Sequence, residues 1–502
     1  MKQKSSLNAA LIRIALALIL LAVSVGSLFF RQKTAEARPE LYDVTVVKPT
    51  CTDPGYSLYT NRSDGSTYVD DMVDPPGHSW GSWSTAGVPS AMEPAVEARG
   101  CGVCAAEEER VLYPQMNVPV VALEGSLTGI GKESEVPMAA RFISPDREFS
   151  AFATLKHQGH DSLRYDKKNF TLKLYRDEGR SEKYKMTFSH WNEESKYILK
   201  GNYLDPSHIR NLVSADIWAQ IVAERASLPP EMKRLSNYGA VDSFPVALYI
   251  NREFYGLYSW TLHKDDDLFG MKKGRDHAIL ISNDDSAPEA YFRETAAFTG
   301  TSPWEVEFCG TENTLWAENK LNAFIRFVMD SDDDTFRKEL KKHLDVDSAI
   351  DYYLSIYALG LPQQRGANLV LICYDKDLPF TASLFSMNKA FGLSADGTET
   401  ASPEEFLPGE PTGNLLWDRL AVLFRPEIEA RYASLRKTAF DTDAMCRRVT
   451  ECAAAIPGEL TDADHAVYPH PNPGLAHQEQ ITRYIVRRME LLDAEFLTGE
   501  ID

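Results

Sequence analysis

The run Tyr197-Ile-Leu-Lys-Gly-Asn-Tyr-Leu-Asp-Pro206 leads into Ser-His-Ile-Arg-Asn-Leu-Val-Ser-Ala-Asp-Ile-Trp218. After a proline-bearing turn comes Phe244-Pro-Val-Ala-Leu-Tyr-Ile-Asn-Arg-Glu-Phe-Tyr-Gly-Leu-Tyr-Ser-Trp-Thr-Leu-His-Lys264. Asp205 can accept orphan backbone N–H bonds, and Pro206 has the fixed φ of a first helical position, so a helix is expected from Pro206. Ile209, Leu212, Val213 and Ile217, with Trp218 beside it, fall on one face of that helix. The second half reads as a hairpin. Val246, Leu248 and Ile250 alternate, Asn251-Arg-Glu turns the chain, and an aromatic-rich strand returns from Tyr255 to Leu262.

Upstream, Val118–Leu123, Met138–Ile143 and Ala151–His157 form a strand series. The polar turn in Leu155-Lys-His-Gln-Gly-His-Asp-Ser162 opens onto Tyr165-Asp-Lys-Lys-Asn-Phe-Thr-Leu-Lys-Leu-Tyr175, whose Phe170–Tyr175 alternates as a strand. Strand, Asp-Pro-led helix with Arg-Asn, then strand-Asn-turn-Tyr-Gly-strand resembles the amino-terminal lobe of the spore-coat H (CotH) kinase-like family. The resemblance runs to about residue 495. It implies an α+β, bilobal protein-kinase-like fold, with a β-rich small lobe over residues 113–264 and a mainly helical large lobe over 265–495.

In that family the turn before the paired lysines, with the lysines themselves, holds nucleotide phosphates. Gln158, Ser162, Lys167 and Lys168 stand at those positions, and a lysine on a lobe strand supplies a fixed positive charge to β/γ-phosphates. Read without the resemblance, the same lysines are a solvated pair leading into a strand. ATP with Mg²⁺ is therefore the implied cofactor.

The catalytic pattern is degraded. The family loop reads Asp-x4-Asn, and here Gln363 stands five residues before Asn368. The metal element, Asp-x-Asp before Phe-Gly in the family, reads Ser386-Met-Asn388-Lys-Ala-Phe-Gly392. Gln carries no titratable base, Ser and Asn are weak neutral ligands for Mg²⁺, and Lys389 adds repulsion. The resemblance then implies a pseudokinase that binds or scaffolds an unknown surface or coat protein. The alternative is an active, atypical ATP-dependent protein kinase using displaced carboxylates, for which Asp375, Asp377 and Asp396 are the nearest candidates.

Bulk properties frame this. The 502 residues carry 53 Lys plus Arg against 73 Asp plus Glu, a formal charge of −20 that disfavours nucleic acid as a partner. Residues 1–37 form a targeting segment. Lys2, Lys4 and Arg13 precede an apolar run over residues 14–30, closed by Arg31 and Lys33. A signal-anchor held in the membrane through residues 14–30, or a signal peptide cleaved at Ala35-Glu-Ala37, each exports the rest. The expected location is extracytoplasmic, membrane-anchored or secreted.

Residues 40–112 form a further module with an internal repeat. Pro49-Thr50-Cys51-Thr-Asp53-Pro54-Gly recurs forty positions later as Pro89-Ser90-Ala91-Met-Glu93-Pro94-Ala. Gly77-His78-Ser-Trp80-Gly-Ser-Trp83 joins the halves and resembles Cys-rich Gly-His-x-Trp modules of exported proteins. Cys51, Cys101 and Cys104 with His78 have Zn-like spacing, but an oxidised Cys101–Cys104 bridge, or vestigial spacer cysteines, is the favoured reading.

Elsewhere, Cys373 reads as a buried strand residue. The stretch 265–334 reads as less regular and acidic, its Asp265–Asp267 and Asp332–Asp334 runs lacking calcium-loop spacing. Helices are expected over Phe336–Leu344, Asp347–Leu361, Leu415–Ala439 and Gln480–Phe496, with a Pro/Gly-rich linker over residues 394–413.

Overall fold

The computed structural model describes residues 39–159, 161–284, 286–299 and 302–497. The targeting segment 1–37 lies outside the described residues. Among those described, no helix is long and apolar enough to cross a membrane. The chain divides into two compact units, residues 39–88 with 95–112, and residues 89–94 with 113–497.

The first unit is two three-stranded antiparallel sheets. One holds β1 (Tyr42–Val47), β2 (Gly55–Asn61) and β3 (Thr67–Val73); the other holds β4 (Ser84–Thr85), β5 (Ala95–Gly100) and β6 (Glu107–Leu112). The forty-residue repeat is plain in this layout, because β2 and β3 shifted by forty positions fall on β5 and β6. All seven cysteines of the chain are free thiols, so Cys101 and Cys104 are not bridged. Instead Cys51, His78, Cys101 and Cys104 bring their ligand atoms within 4.8 Å of one another.

The second unit begins with a closed seven-stranded barrel. Its strands are β7 (Val120–Glu124), β8 (Val136–Ile143), β9 (Glu148–Gln158), β10 (Asn169–Tyr175), β11 (Lys196–Lys200), β12 (Ser243–Ile250) and β13 (Glu253–Leu262). Around the barrel they run β10-β11-β13-β12-β7-β8-β9, with every pairing antiparallel except β12 with β7. Alternation decides the facing. Val136, Met138, Ala140 and Phe142 of β8, Phe170, Leu172 and Leu174 of β10, and Tyr258, Trp260 and Leu262 of β13 are all buried in one core. The β12–β13 turn is Asn251-Arg252, both at positive φ (53° and 70°), the geometry that matches strand twist in two-residue hairpins.

The helix expected from Pro206 begins later, as α1 (Arg210–Ala223). His208 sits at φ 60°, a left-handed conformation that cannot continue a helix. Asp205 still serves the helix start, because its Oδ2 accepts the Arg210 backbone N–H at 3.0 Å. Trp218 and Ile217 of α1 join the same hydrophobic core as the barrel interior.

The acidic stretch 265–334 is more regular than its composition suggests. It supplies β14 (Ala278–Ser282), β15 (Trp304–Cys309) and α2 (Leu315–Asp330). With β16 (Leu369–Cys373) and β17 (Thr381–Leu384), these strands form an antiparallel sheet ordered β15-β14-β16-β17. Cys373 is fully buried in it. Around this sheet lie α3 (Asp333–Glu339), α4 (Val346–Ala358), α5 (Leu415–Leu423), α6 (Arg425–Leu435), α7 (Thr442–Ala454), α8 (Gly458–Val467) and α9 (Gln478–Phe496). The single helix expected over 415–439 is split at Phe424, because Pro426 opens the first turn of α6 and cannot continue α5. Residues 394–413 contain no helix or strand.

Candidate functional site

Buried ion pairs join α1 to the later helices. Arg225, just beyond α1, donates Nε to Asp351 Oδ2 of α4 at 2.8 Å, and Arg431 of α6 donates to Oδ1 at 2.7 Å. Arg210 bonds Asp205 Oδ1 through Nη1 at 2.8 Å and the Ala390 carbonyl through Nε at 3.0 Å. Lys264, leaving β13, lies over the Phe385 ring at 5.2 Å. These contacts draw the end of the barrel hairpin, the start of α1 and the 385–390 segment to one place.

The catalytic-loop and metal-element positions meet there. Gln363 lies in a 3₁₀ turn (Pro362–Arg365), and its Oε1 accepts Lys389 Nζ at 3.1 Å. Gln364 beside it donates Nε2 to the Ser386 carbonyl at 3.2 Å. Ser386, at φ 58°, donates Oγ to Asn388 Oδ1 at 3.3 Å. Asn368, at φ 60°, is held by its backbone N–H to the Ser282 carbonyl at 2.6 Å and opens β16, whose first residue pairs with Leu384. The four sequence-derived positions are thus neighbours on two adjoining turns. Their side chains offer amides and a hydroxyl, with an ammonium already bonded to Gln363.

Asp375 and Asp377 lie elsewhere. They occupy the β16–β17 turn, where Asp375 Oδ1 accepts the Asp377 N–H at 2.9 Å. β16 separates that turn from Asn368 and Ser386 by about 16 Å at ~3.3 Å per residue. One ion with ligands about 2 Å away cannot touch both ends, so these two carboxylates do not replace the lost ones. Asp396 sits in a tight turn whose Gly397 packs on Leu204. Hydrogen bonds from Ser394 and Thr398 hold its carboxyl down to about 2.

The expected phosphate-binding group has local partners. Ser162 Oγ donates to the Gln158 carbonyl at 3.2 Å, closing the turn after β9. Lys168 donates to the carbonyls of Leu163, at 2.9 Å, and Tyr165. Lys167 is buried, and its Nζ lies 2.5 Å from Asp464 Oδ1 of α8. Asp464 also accepts the Leu257 backbone N–H at 2.7 Å, and His208 Nε2 lies 3.1 Å from its Oδ2. Burial alone would raise the Asp464 carboxyl, but the charges of Lys167 and His208 hold it well below the usual range. Gly256, at φ 139°, makes this approach feasible, since a Cβ there would stand 2.8 Å from Asp464 Oδ1. The Tyr-Gly element of the hairpin is therefore the landing point of α8.

Sequence reasoning passed over Lys200, the last residue of β11. Strand alternation turns it away from the barrel interior, next to Ser259 across the pair. Burial pushes its ammonium down to about 8, with Asp205 opposing the shift. Among the described residues, its Nζ has no hydrogen-bond acceptor. The only sequence signal was its place in Ile198-Leu-Lys-Gly201, directly ahead of Asn202 and Asp205. A half-buried lysine with free donors is suited to an anion.

Residues 155–492 match the family model described as CotH kinase protein. No curated protein matches the chain. The match covers the barrel strands from β9, the ion-paired α1, both turns bearing Gln363 and Ser386, and the helices to α9, and on that evidence the chain belongs to the CotH kinase protein family.

Proposed function

We propose that this protein is an exported CotH-type pseudokinase, a two-lobed kinase-like module that binds or scaffolds a surface or coat protein. The observation that carries this reading is the Gln363–Lys389 contact. Where a kinase needs a carboxylate to accept the substrate hydroxyl proton, an amide oxygen is already bonded to an ammonium.

The family implies ATP with Mg²⁺, and the residues present do not fit the metal. Ser386 and Asn388 are neutral and bonded to each other, and Lys389 brings positive charge to the same turn. The nucleotide is a separate matter, because phosphates need only fixed positive charge and N–H donors. Lys200 is the group we assign to that role. Lys167 is committed to Asp464 and serves the fold.

The test is a thermal shift with ATP, with and without Mg²⁺ or Mn²⁺, on the chain and on Lys200→Met. A ligand that binds only the folded state stabilises it by RT ln(1 + [L]/Kd). The expected result is a shift that does not need the metal and is lost in Lys200→Met, with no phosphate transfer. Metal-dependent autophosphorylation abolished by Asp396→Ala would reject the pseudokinase and establish a displaced carboxylate.

A further inference from the structure

We infer that the amino-terminal unit carries one structural Zn²⁺, bound by Cys51, His78, Cys101 and Cys104. The geometry is that of a tetrahedral S₃N site. Cys51 Sγ and Cys101 Sγ are 3.8 Å apart, and Cys104 Sγ and His78 Nδ1 are 3.3 Å apart. Zn–S bonds of ~2.3 Å and Zn–N bonds of ~2.0 Å at tetrahedral angles give edges of about 3.8 Å for S···S and about 3.5 Å for S···N. Two sulfurs 3.8 Å apart are far beyond a disulfide bond, which is about 2.05 Å.

The surroundings are built for thiolates. The Val103 N–H points at Cys101 Sγ at 3.4 Å, a turn that the Cys101-x-x-Cys104 spacing makes natural. Gly102 N–H bonds the Ser79 carbonyl at 2.9 Å and Trp80 bridges to Cys101, so the His78 segment is fastened to the Cys101 turn by backbone. His78 also packs against the Trp80 ring at 4.7 Å, which orients its imidazole.

An independent observation concerns what else holds this unit together. Its buried hydrophobic residues, among those described, are Cys51, Ala95 and Cys101. Every residue of β3 is exposed. A unit of this size cannot offset chain entropy with two cysteines and an alanine, and small domains in that position use disulfides or a metal. No disulfide is formed, and two of the three buried hydrophobic residues, Cys51 and Cys101, belong to the ligand set. The ion would fasten the first repeat at Cys51, the joint at His78 and the second repeat at Cys101 and Cys104. Three thiol protons leave on binding and the imidazole binds neutral, so the ion folds the unit as it loads.

The test uses the full chain, purified without chelator. One equivalent of zinc is expected, and Co²⁺ should replace it with the visible ligand-field bands of a tetrahedral thiolate site. Cys51→Ser and Cys101→Ser should lose the metal, while Cys446→Ser keeps it. His78→Cys should retain zinc and move the cobalt bands toward those of an all-sulfur site, which guards against variants that merely misfold. Chelation should open residues 39–112 to protease. Zinc at background level, a Cys51–Cys101 or Cys101–Cys104 disulfide in the mass spectrum, or cobalt bands unmoved by His78→Cys would each overturn the assignment.

Discussion

Asp464→Asn isolates the charge at the centre of the buried cluster. The amide keeps an oxygen for the Leu257 N–H, which lies 2.7 Å from Asp464 Oδ1, but it removes the negative charge 2.5 Å from Lys167 Nζ. The side chains of Lys167 and Asp464 are 1% and 4% exposed, so water cannot take over as partner. Leaving one charge of such a pair buried costs about 3–5 kcal/mol. Against a typical total of ~5–15 kcal/mol, that is about a fifth of the stability or more. Urea unfolding followed by tryptophan fluorescence reads it as a lowered midpoint at unchanged slope. The double variant Lys167→Met with Asp464→Asn should be less damaged than the sum of the singles, with a coupling of about 2 kcal/mol or more. The pH dependence has a defined sign. A carboxyl depressed in the folded state stabilises above its unfolded value, ~3.9, and that stability is lost as pH falls toward the lower folded value. Asp464→Asn should flatten this acid limb. A cost below about 1 kcal/mol with no coupling would refute the view that Lys167 serves the fold through Asp464.

Glu194 tests the opposite sign. Burial, then the charges of Asp267 and Asp265, push its carboxyl up to about 9, so its contribution is fullest below ~4.3 and is lost as pH rises through about 9. Glu194→Gln should raise the melting temperature at pH 8 more than at pH 5, and equal effects would show that Glu194 is not buried against those charges. Arg252→Gly should stabilise the hairpin by up to ~1 kcal/mol, since Arg252 holds φ 70° at an exposed turn; urea melts check it. Restoring Ser386→Asp and Asn388→Asp together should raise Mg²⁺ affinity beyond either single change, because ligands of one ion act as a unit. Calorimetry with Mg²⁺ reads this, and equal affinity for the double and the better single variant would show that the two positions do not share an ion.

Local patterning carried much of the fold into the sequence. Period-two alternation in Phe170–Tyr175 and Val246–Ile250 marked barrel strands and told inward from outward residues, because side-chain facing is a property of the backbone alone. The Asn251 turn and the helices around Asp347 and Gln480 were legible for the same reason. So were Gln363, Asn368, Ser386 and Asn388, since their spacing from a recognisable helix and strand survives whatever the rest of the chain does. Partner choice was not legible. Lys167 reads as a phosphate lysine in the sequence, and only the fold shows that it pairs with Asp464, 297 residues later, on a helix the sequence did not announce. Lys200 looked ordinary because its isolation comes from what surrounds it. The start of α1 moved from Pro206 to Arg210 because Asp205 is drawn to Arg210, which is itself tied to Ala390. In the first unit the spacing was Zn-like, yet a Cys101–Cys104 bridge or vestigial spacer cysteines was the favoured reading. Only folding brings Cys51 and His78 to the same point, because closing distant segments onto one another is settled by the packing of the whole chain and leaves no local periodicity to read.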